Sequence, residues 1–214
     1  MMNERIERAV NALKANNFSV IYAKTKADIV NEVKAMLPEG CTVSSGGSQT
    51  LIESGVLELI KGEKYNYLDR FNAENPLEIF KGIIGCNFYF TSSNAVTEKG
   101  ELVNVDGFAN RVSAIAFGPE KVVVIVGKNK IVENTKEAFL RIKRIAAPKN
   151  CVRLSCNTPC SKLGHCVSLL NNDNPDMTDG CASPQRICRS YLVSGRQKEE
   201  GRITVIISEE DLGY

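Results

Sequence analysis

Six of the chain's eight cysteines fall between residues 151 and 188, separated successively by four, three, five, fourteen and six residues. Thiolates bind soft metals, and four of them complete a tetrahedral zinc site or hold an iron–sulfur cluster. The spacing matches neither the paired C-x2-C of a zinc ribbon nor a bacterial ferredoxin run. Lys162, His165, Arg186 and Arg189 flank the thiols, where positive charge would lower thiol pKa values and balance an anionic cluster. Metal binding, redox-active thiols and incidental thiols in a self-packed loop all stay open on this spacing. His165 is the one histidine and is either a ligand or a solvated loop residue.

Three other segments carry groups that suit a ligand. Ser44-Ser45-Gly46-Gly47-Ser48-Gln49-Thr50 leaves an expected strand and enters an expected helix. Glycines let a ligand approach the backbone there, and free N–H groups at the helix start attract phosphate or carboxylate. A tight turn with Ser48 as helix cap reads the same residues without a ligand. Asn104-Val105-Asp106-Gly107-Phe108-Ala109-Asn110-Arg111 offers an amide, a carboxylate and a guanidinium. Asp106 is the candidate general base, and Arg111 the candidate fork for a carboxylate or phosphate. The competing reading is an Asp-Gly turn with Arg111 in a structural ion pair. Gly127-Lys128-Asn129-Lys130 ends the most apolar strand, and its lysines face either an anion or water.

These loops need a scaffold that brings them together. Ile6, Val10 and Leu13 recur at helical spacing. A strand over 18–23 follows, then a helix capped by Thr25 carrying Ile29, Val33 and Leu37. Strands at 41–44, 65–68 and 87–91 alternate with a helix carrying Ile52, Val56 and Leu59 and one starting at Asn75-Pro76. Residues 95–97 and 102–105 read as a hairpin, and 111–117 as a short helix. Val122-Val123-Val124-Ile125-Val126 reads as a strand buried on both faces. A helix over 133–147 turns Thr135, Phe139, Ile142 and Ile145 inward, and a strand over 203–207 closes the pattern. The alternation predicts an α/β protein, a mostly parallel sheet with helices on both faces. One domain spans 1–214, with 149–190 a cysteine-rich insertion before the last strand. Ligands in such sheets bind outside the strands' carboxyl ends. The expected ligand-binding set is therefore Gly46, Gly47, Ser48, Thr50, Asn104, Gly107, Asn110, Arg111, Lys128, Asn129 and Lys130.

Of 214 residues, 43% are apolar and 24% charged, and 27 basic against 25 acidic residues leave a net charge of +2. This is globular composition, which excludes disorder or a small disulfide scaffold as a description of the whole. There is no basic block and no Trp, so a nucleic-acid partner is not expected. No apolar run reaches the roughly 18 to 20 residues of a membrane helix. The charged start lacks an apolar signal core. The expected place is the cytoplasm, where thiols stay reduced. No nucleotide-binding motif is present.

Residues 94–111 and 117–132 resemble the LUD-domain lactate-utilisation family (LutC/YkgG type). Gly46-Gly47-Ser48, 144–148, Thr158-Pro159-Cys160, 183–188 and 209–213 extend the resemblance over essentially the whole chain. It implies a fold like that of ribose-5-phosphate isomerase and the CoA-transferases. It also implies a role in oxidising L-lactate to pyruvate beside iron–sulfur partner subunits; the small anionic ligand is the expectation from the three loops above. In cysteine-bearing members the pattern looks like Thr-Pro-Cys, Gly-x-Cys, a nearby Cys and Ser-Pro-x-Arg-Ile-Cys. That carries metal ligation, by an iron–sulfur cluster or zinc, to Cys160, Cys166, Cys181 and Cys188, with Cys156 a further candidate. The chain departs from the pattern by placing fourteen residues between Cys166 and Cys181, where about two are expected. Two other readings stand beside this one: a standalone enzyme on a sugar phosphate or CoA ester, and a zinc-stabilised scaffold. A homo-oligomer also stays open.

Overall fold

Ile6, Val10 and Leu13 are buried on one face of α1 (Glu4–Ala15) in the computed structural model of the chain, which describes residues 2–70 and 72–214. Met1, part of the charged start, lies outside the described residues, as does Phe71. The Asn3 side chain accepts from the Arg5 N–H and caps α1. Thr25 and Asp28 form a capping box that starts α2 (Lys26–Met36), satisfying backbone donors that a helix end leaves unpaired.

Six strands make one fully parallel sheet in the order β1-β10-β7-β4-β2-β3. They are β1 (Ser19–Ala23), β2 (Thr42–Ser45), β3 (Asn66–Tyr67), β4 (Phe88–Thr91), β7 (Lys121–Gly127) and β10 (Ile203–Ser208). The apolar run of β7 is buried on both faces. Val122, Val124 and Val126 pack into a core with α1 and with α5 (Pro76–Ile84) and α6 (Asn110–Ala116). Val123 and Ile125 pack into another with α2, α3 (Gln49–Glu53) and α4 (Val56–Ile60). Side chains alternate across a strand, so an unbroken apolar run needs cover on each side.

The expected hairpin forms β5 (Ala95–Thr97) and β6 (Leu102–Asp106) and belongs to a second sheet ordered β8-β5-β6-β9. Its outer strands, β8 (Ile131–Val132) and β9 (Ser190–Ser194), were not anticipated. β8 has two residues, and β9 is half exposed and pairs only with β6, so neither shows clean alternation. A third core, with Val103, Val105, Ala138 and Ile142, joins this sheet to α7 (Thr135–Arg141).

Two helices differ from expectation. The span carrying Ile52 breaks into α3 and α4 at Gly55, whose φ is +77°. Leu51 is buried in place of Ile52, because the break resets the helical phase. The helix expected to end before Pro148 continues through a π-turn (Ile142–Ala146) into α8 (Ala147–Arg153). The wider turn relieves the ring's clash with the preceding turn, and the altered phase leaves Ile145 exposed. Beyond it lie α9 (Pro159–Leu163), a 3-10 turn at Val167–Leu169 and long loops that lead into β9.

Gly100 closes the hairpin with φ +79°, and a Cβ there would sit 2.4 Å from the Ala12 carbonyl carbon. Gly100→Ala is expected to cost at least about 1–3 kcal/mol, the range for overpacking. Urea unfolding measures this, and an unshifted midpoint contradicts the close approach of hairpin and α1.

Candidate functional site

The carboxyl ends of β2, β4, β6 and β7 converge on one cleft. Gly47, Ser48, Ser92, Ser93, Asn94, Asp106, Gly107, Asn110, Arg111 and Lys130 line it from the strand ends. Asn150, Arg153 and Cys156 line it from α8 and the turn beyond, and Pro184, Gln185, Arg186, Ile187 and Arg189 from the cysteine segment. Its volume is about 710 Å³, and it opens to solvent. The basic side chains on its walls are Arg70, Arg111, Lys130, Arg153, Arg186 and Arg189, against one acidic side chain, Asp106.

That carboxylate is bonded within the protein through both oxygens. Asp106 Oδ1 accepts from Arg111 Nε at 2.9 Å, and Oδ2 accepts from the Val112 N–H at 2.8 Å at the start of α6. α6 has no side-chain cap from its own N-cap residue, Ala109, which lies at φ +59°; Asp106 supplies the missing acceptor. These bonds make Asp106, the expected general base, a positioning residue for Arg111 and α6. Arg111 is equally committed. Besides Asp106, its Nη1 donates to Ser92 O (2.8 Å) and Asn104 Oδ1 (2.6 Å), and its Nη2 to Asn94 Oδ1 (2.8 Å) and Val105 O (2.9 Å). A guanidinium has five N–H donors, and all five are used within the protein, so the fork expected for a ligand holds the rim together.

Lys130 is different. It is 3% exposed, and its Nζ donates to Thr50 Oγ1 at 2.8 Å and Ser92 Oγ at 3.0 Å. Burial lowers its pKa to about 7, helped by Arg141 and Arg111, while Glu53 acts the other way. Desolvation disfavours the charged form, and neighbouring cations add to it.

The remaining expected residues take several places. Gly46 sits behind the cleft wall, where a Cβ would meet Tyr89 Oη at 3.0 Å and Arg111 Cδ at 3.2 Å. Ser48 caps α3 by accepting from the Leu51 N–H. Thr50 and Asn104 are buried behind the wall as partners of Lys130 and Arg111. Lys128 is exposed away from the cleft. Asn129 ties down the last residues, donating to Gly213 O and accepting from the Leu212 N–H. The sequence reading missed Ser92, Ser93 and Asn94; the polar run after an apolar strand was the signal for them. It also missed Arg153 and Arg189 as parts of the cleft, since they come from the far segment.

The thiols divide. Cys160, Cys166, Cys181 and Cys188 line one small cavity of about 20 Å³ with Phe139, Ile142, Lys143, Ala147, Pro148, Val167, Met177 and Tyr191. Burial pushes the Cys188 thiol up to about 11. Cys156 lies instead in the cleft wall. Cys151 is buried in α8 with its Sγ 3.6 Å from Cys160 Sγ. His165 Nδ1 meets the Cys166 carbonyl at 3.1 Å. Among the described residues, no three His, Cys, Asp or Glu side chains are grouped to hold a single metal ion, and no helix is long and apolar enough to cross a membrane.

A parallel sheet with a cationic cleft at its carboxyl edge defines an α/β protein with a candidate site at the usual place for such sheets. The family model of the LUD domain matches residues 6–208. The chain belongs to the LUD-domain family, which is associated with lactate utilisation. Among solved structures, a DUF162 family protein from Deinococcus radiodurans shares the fold, with a TM-score of 0.54, 11% identity and 96% of each chain covered. No curated protein matches.

Lys130 makes a stability claim with a definite sign. Its pKa is about 7 when folded against 10.5 for the free side chain. Between those values the unfolded chain binds more protons, so stability rises with pH there. The penalty is full below the lower value and gone above the upper one. Lys130→Met is expected to be more stable than wild type to urea near pH 6, with the gain shrinking toward alkaline pH. A variant that loses stability at every pH contradicts the burial account.

Proposed function

We propose that the chain is a subunit of an L-lactate utilisation system that receives a small carboxylate in the cleft. The observation that carries this reading is the uncompensated charge of the walls. Among the described residues, Arg153 and Arg189 have no carboxylate within ion-pair distance. Arg153 and Arg189 bond only neutral oxygens. Cations left unpaired in a cleft attract an anion from solvent. The polar rim of Ser48, Ser93 and Asn110 adds neutral hydrogen-bonding groups beside that charge.

In the same reading the thiol-lined cavity holds a metal centre, with iron–sulfur partner subunits as the electron carriers beyond it. Four soft donors share the lining of one cavity, and thiolates are the usual ligands of iron–sulfur clusters. Cys160, Cys166, Cys181 and Cys188 would hold an iron–sulfur cluster, which supplies one-electron chemistry when bound. Lys143 and Arg186 supply positive charge beside the thiols. Ile187 and Arg189 face the cleft while Cys188 faces the cavity, so one short segment separates the two sites.

The cations of the far segment favour one second reading. The cleft's volume of about 710 Å³ lies within the roughly 300–1,000 Å³ of ligand pockets, and Arg153, Arg186 and Arg189 stand on its wall, which suits a phosphorylated substrate such as a sugar phosphate or CoA ester.

Protein purified without air is expected to contain iron and acid-labile sulfide. Cys160→Ser with Cys188→Ser is expected to lose both while the parallel sheet stays folded by circular dichroism. A colourless, metal-free, folded wild type contradicts the metal centre. Lactate or pyruvate at 100 times its dissociation constant should add about 2.7 kcal/mol to stability. Stabilisation by CoA or ribose phosphates, with none by either acid, moves support to the second reading.

A further inference from the structure

The floor of the cleft carries a nucleophile that the binding role leaves unused. Lys130 ends the 3-10 turn Lys128–Lys130 that leaves β7. Its Nζ meets two hydroxyls, Thr50 Oγ1 and Ser92 Oγ, and neither partner is charged. A neutral amine has two N–H bonds and one lone pair. With both hydrogens given to those hydroxyls, the lone pair takes the remaining tetrahedral position. Lysines become nucleophiles when they are desolvated or set beside other cations. Lys130 meets both conditions. Arg141 on α7 and Arg111 on α6 face it, and Glu53 on α3 is the acid nearby. Glu53 accepts instead from the Gly213 N–H at 2.7 Å. Lys128, two residues earlier, is exposed and has none of these features.

We propose that Lys130 forms a covalent imine with a 2-oxo acid held in the cleft. The class follows from the chemistry on the walls. An amine requires an electrophilic carbonyl, and the unpaired Arg153 and Arg189 select a carboxylate on the same molecule. The inference rests on the reading that the cleft receives a small carboxylate. In the step, the Nζ lone pair attacks the carbonyl carbon and the C–N bond forms. A proton passes from nitrogen to the former carbonyl oxygen, giving a carbinolamine. The C–O bond then breaks, the oxygen leaves as water, and a C=N bond remains. The Thr50 and Ser92 hydroxyls stand within hydrogen-bond distance of the nitrogen and serve as proton carriers. No electrons are gained or lost, so no oxidant or reductant is needed.

The test incubates the full chain with pyruvate near neutral pH, adds borohydride to reduce the C=N bond, and reads intact mass and peptide maps. The expected result is one adduct per chain, on Lys130, with a mass gain of pyruvic acid less one oxygen atom. Lys128→Arg should keep the adduct and Lys130→Arg should lose it. Mapping of the wild type alone locates the adduct, so the outcome does not depend on either variant folding. Calorimetry with pyruvate, without borohydride, is run beside it. A wild type that binds pyruvate but gains no mass, or gains it on another lysine, overturns the imine and leaves the carboxylate reading standing. A wild type that neither binds pyruvate nor gains mass overturns both.

Discussion

A guanidinium with every hydrogen committed inside the protein holds the site together. Arg111 spans from the loop after β4, through Ser92 and Asn94, to the end of β6, through Asn104, Val105 and Asp106. The first belongs to the parallel sheet and its exit loop, the second to the smaller sheet, so one side chain welds the two sheets at the cleft. Asn94 reinforces the weld, its Oδ1 accepting from the Val105 N–H at 2.9 Å. Its carbonyl accepts from Arg141 Nη1 at 2.6 Å. Buried polar networks are favourable only when nearly every member is satisfied. The Nδ2 of Asn104 is an unpaired atom in this network, on a side chain whose oxygen serves Arg111.

That commitment decides which groups stay free for chemistry. Asp106 and Arg111 neutralise each other and leave the ligand to others. Lys130 has only hydroxyl partners, and the protein bears the cost of burying it, as sites with function commonly do. The cysteine segment completes both compartments. Residues from Pro184 to Arg189 wall the cleft on one side, and Cys188 reaches the thiol cavity on the other. The cleft and the thiol-lined cavity are thus separated by a few residues of backbone, and the Arg189 N–H, bonded to the Asp106 carbonyl at 3.0 Å, pins that backbone to the rim.

Much of the scaffold was legible because it obeys simple periods. The β7 run, the α1 stripe and the Thr25 cap all name their elements locally. What failed locally was set by distant contacts. β9 is half exposed and is a strand only because β6 lies beside it. The helix through Pro148 survives by widening a turn, which no residue pattern announces. The site was legible in its loops and not in its roles. Asp106, Arg111 and Lys130 were all named, but a sequence does not say which lysine of Lys128 and Lys130 turns inward, or that Arg111 spends its donors on carbonyls up to nineteen residues away. The cysteines carried over from the family pattern line one cavity despite the fourteen-residue interval, as loop closure tolerates added length. Cys156 went elsewhere because α8 extends to Arg153 and delivers it to the cleft.

The weld at Arg111 is open to direct observation by nitrogen-resolved NMR of the arginine side chains in the full chain. The account predicts five distinct, slowly exchanging N–H signals for Arg111, one for each donor bonded within the protein. A single averaged signal in fast exchange with water, as solvated arginines give, would contradict it.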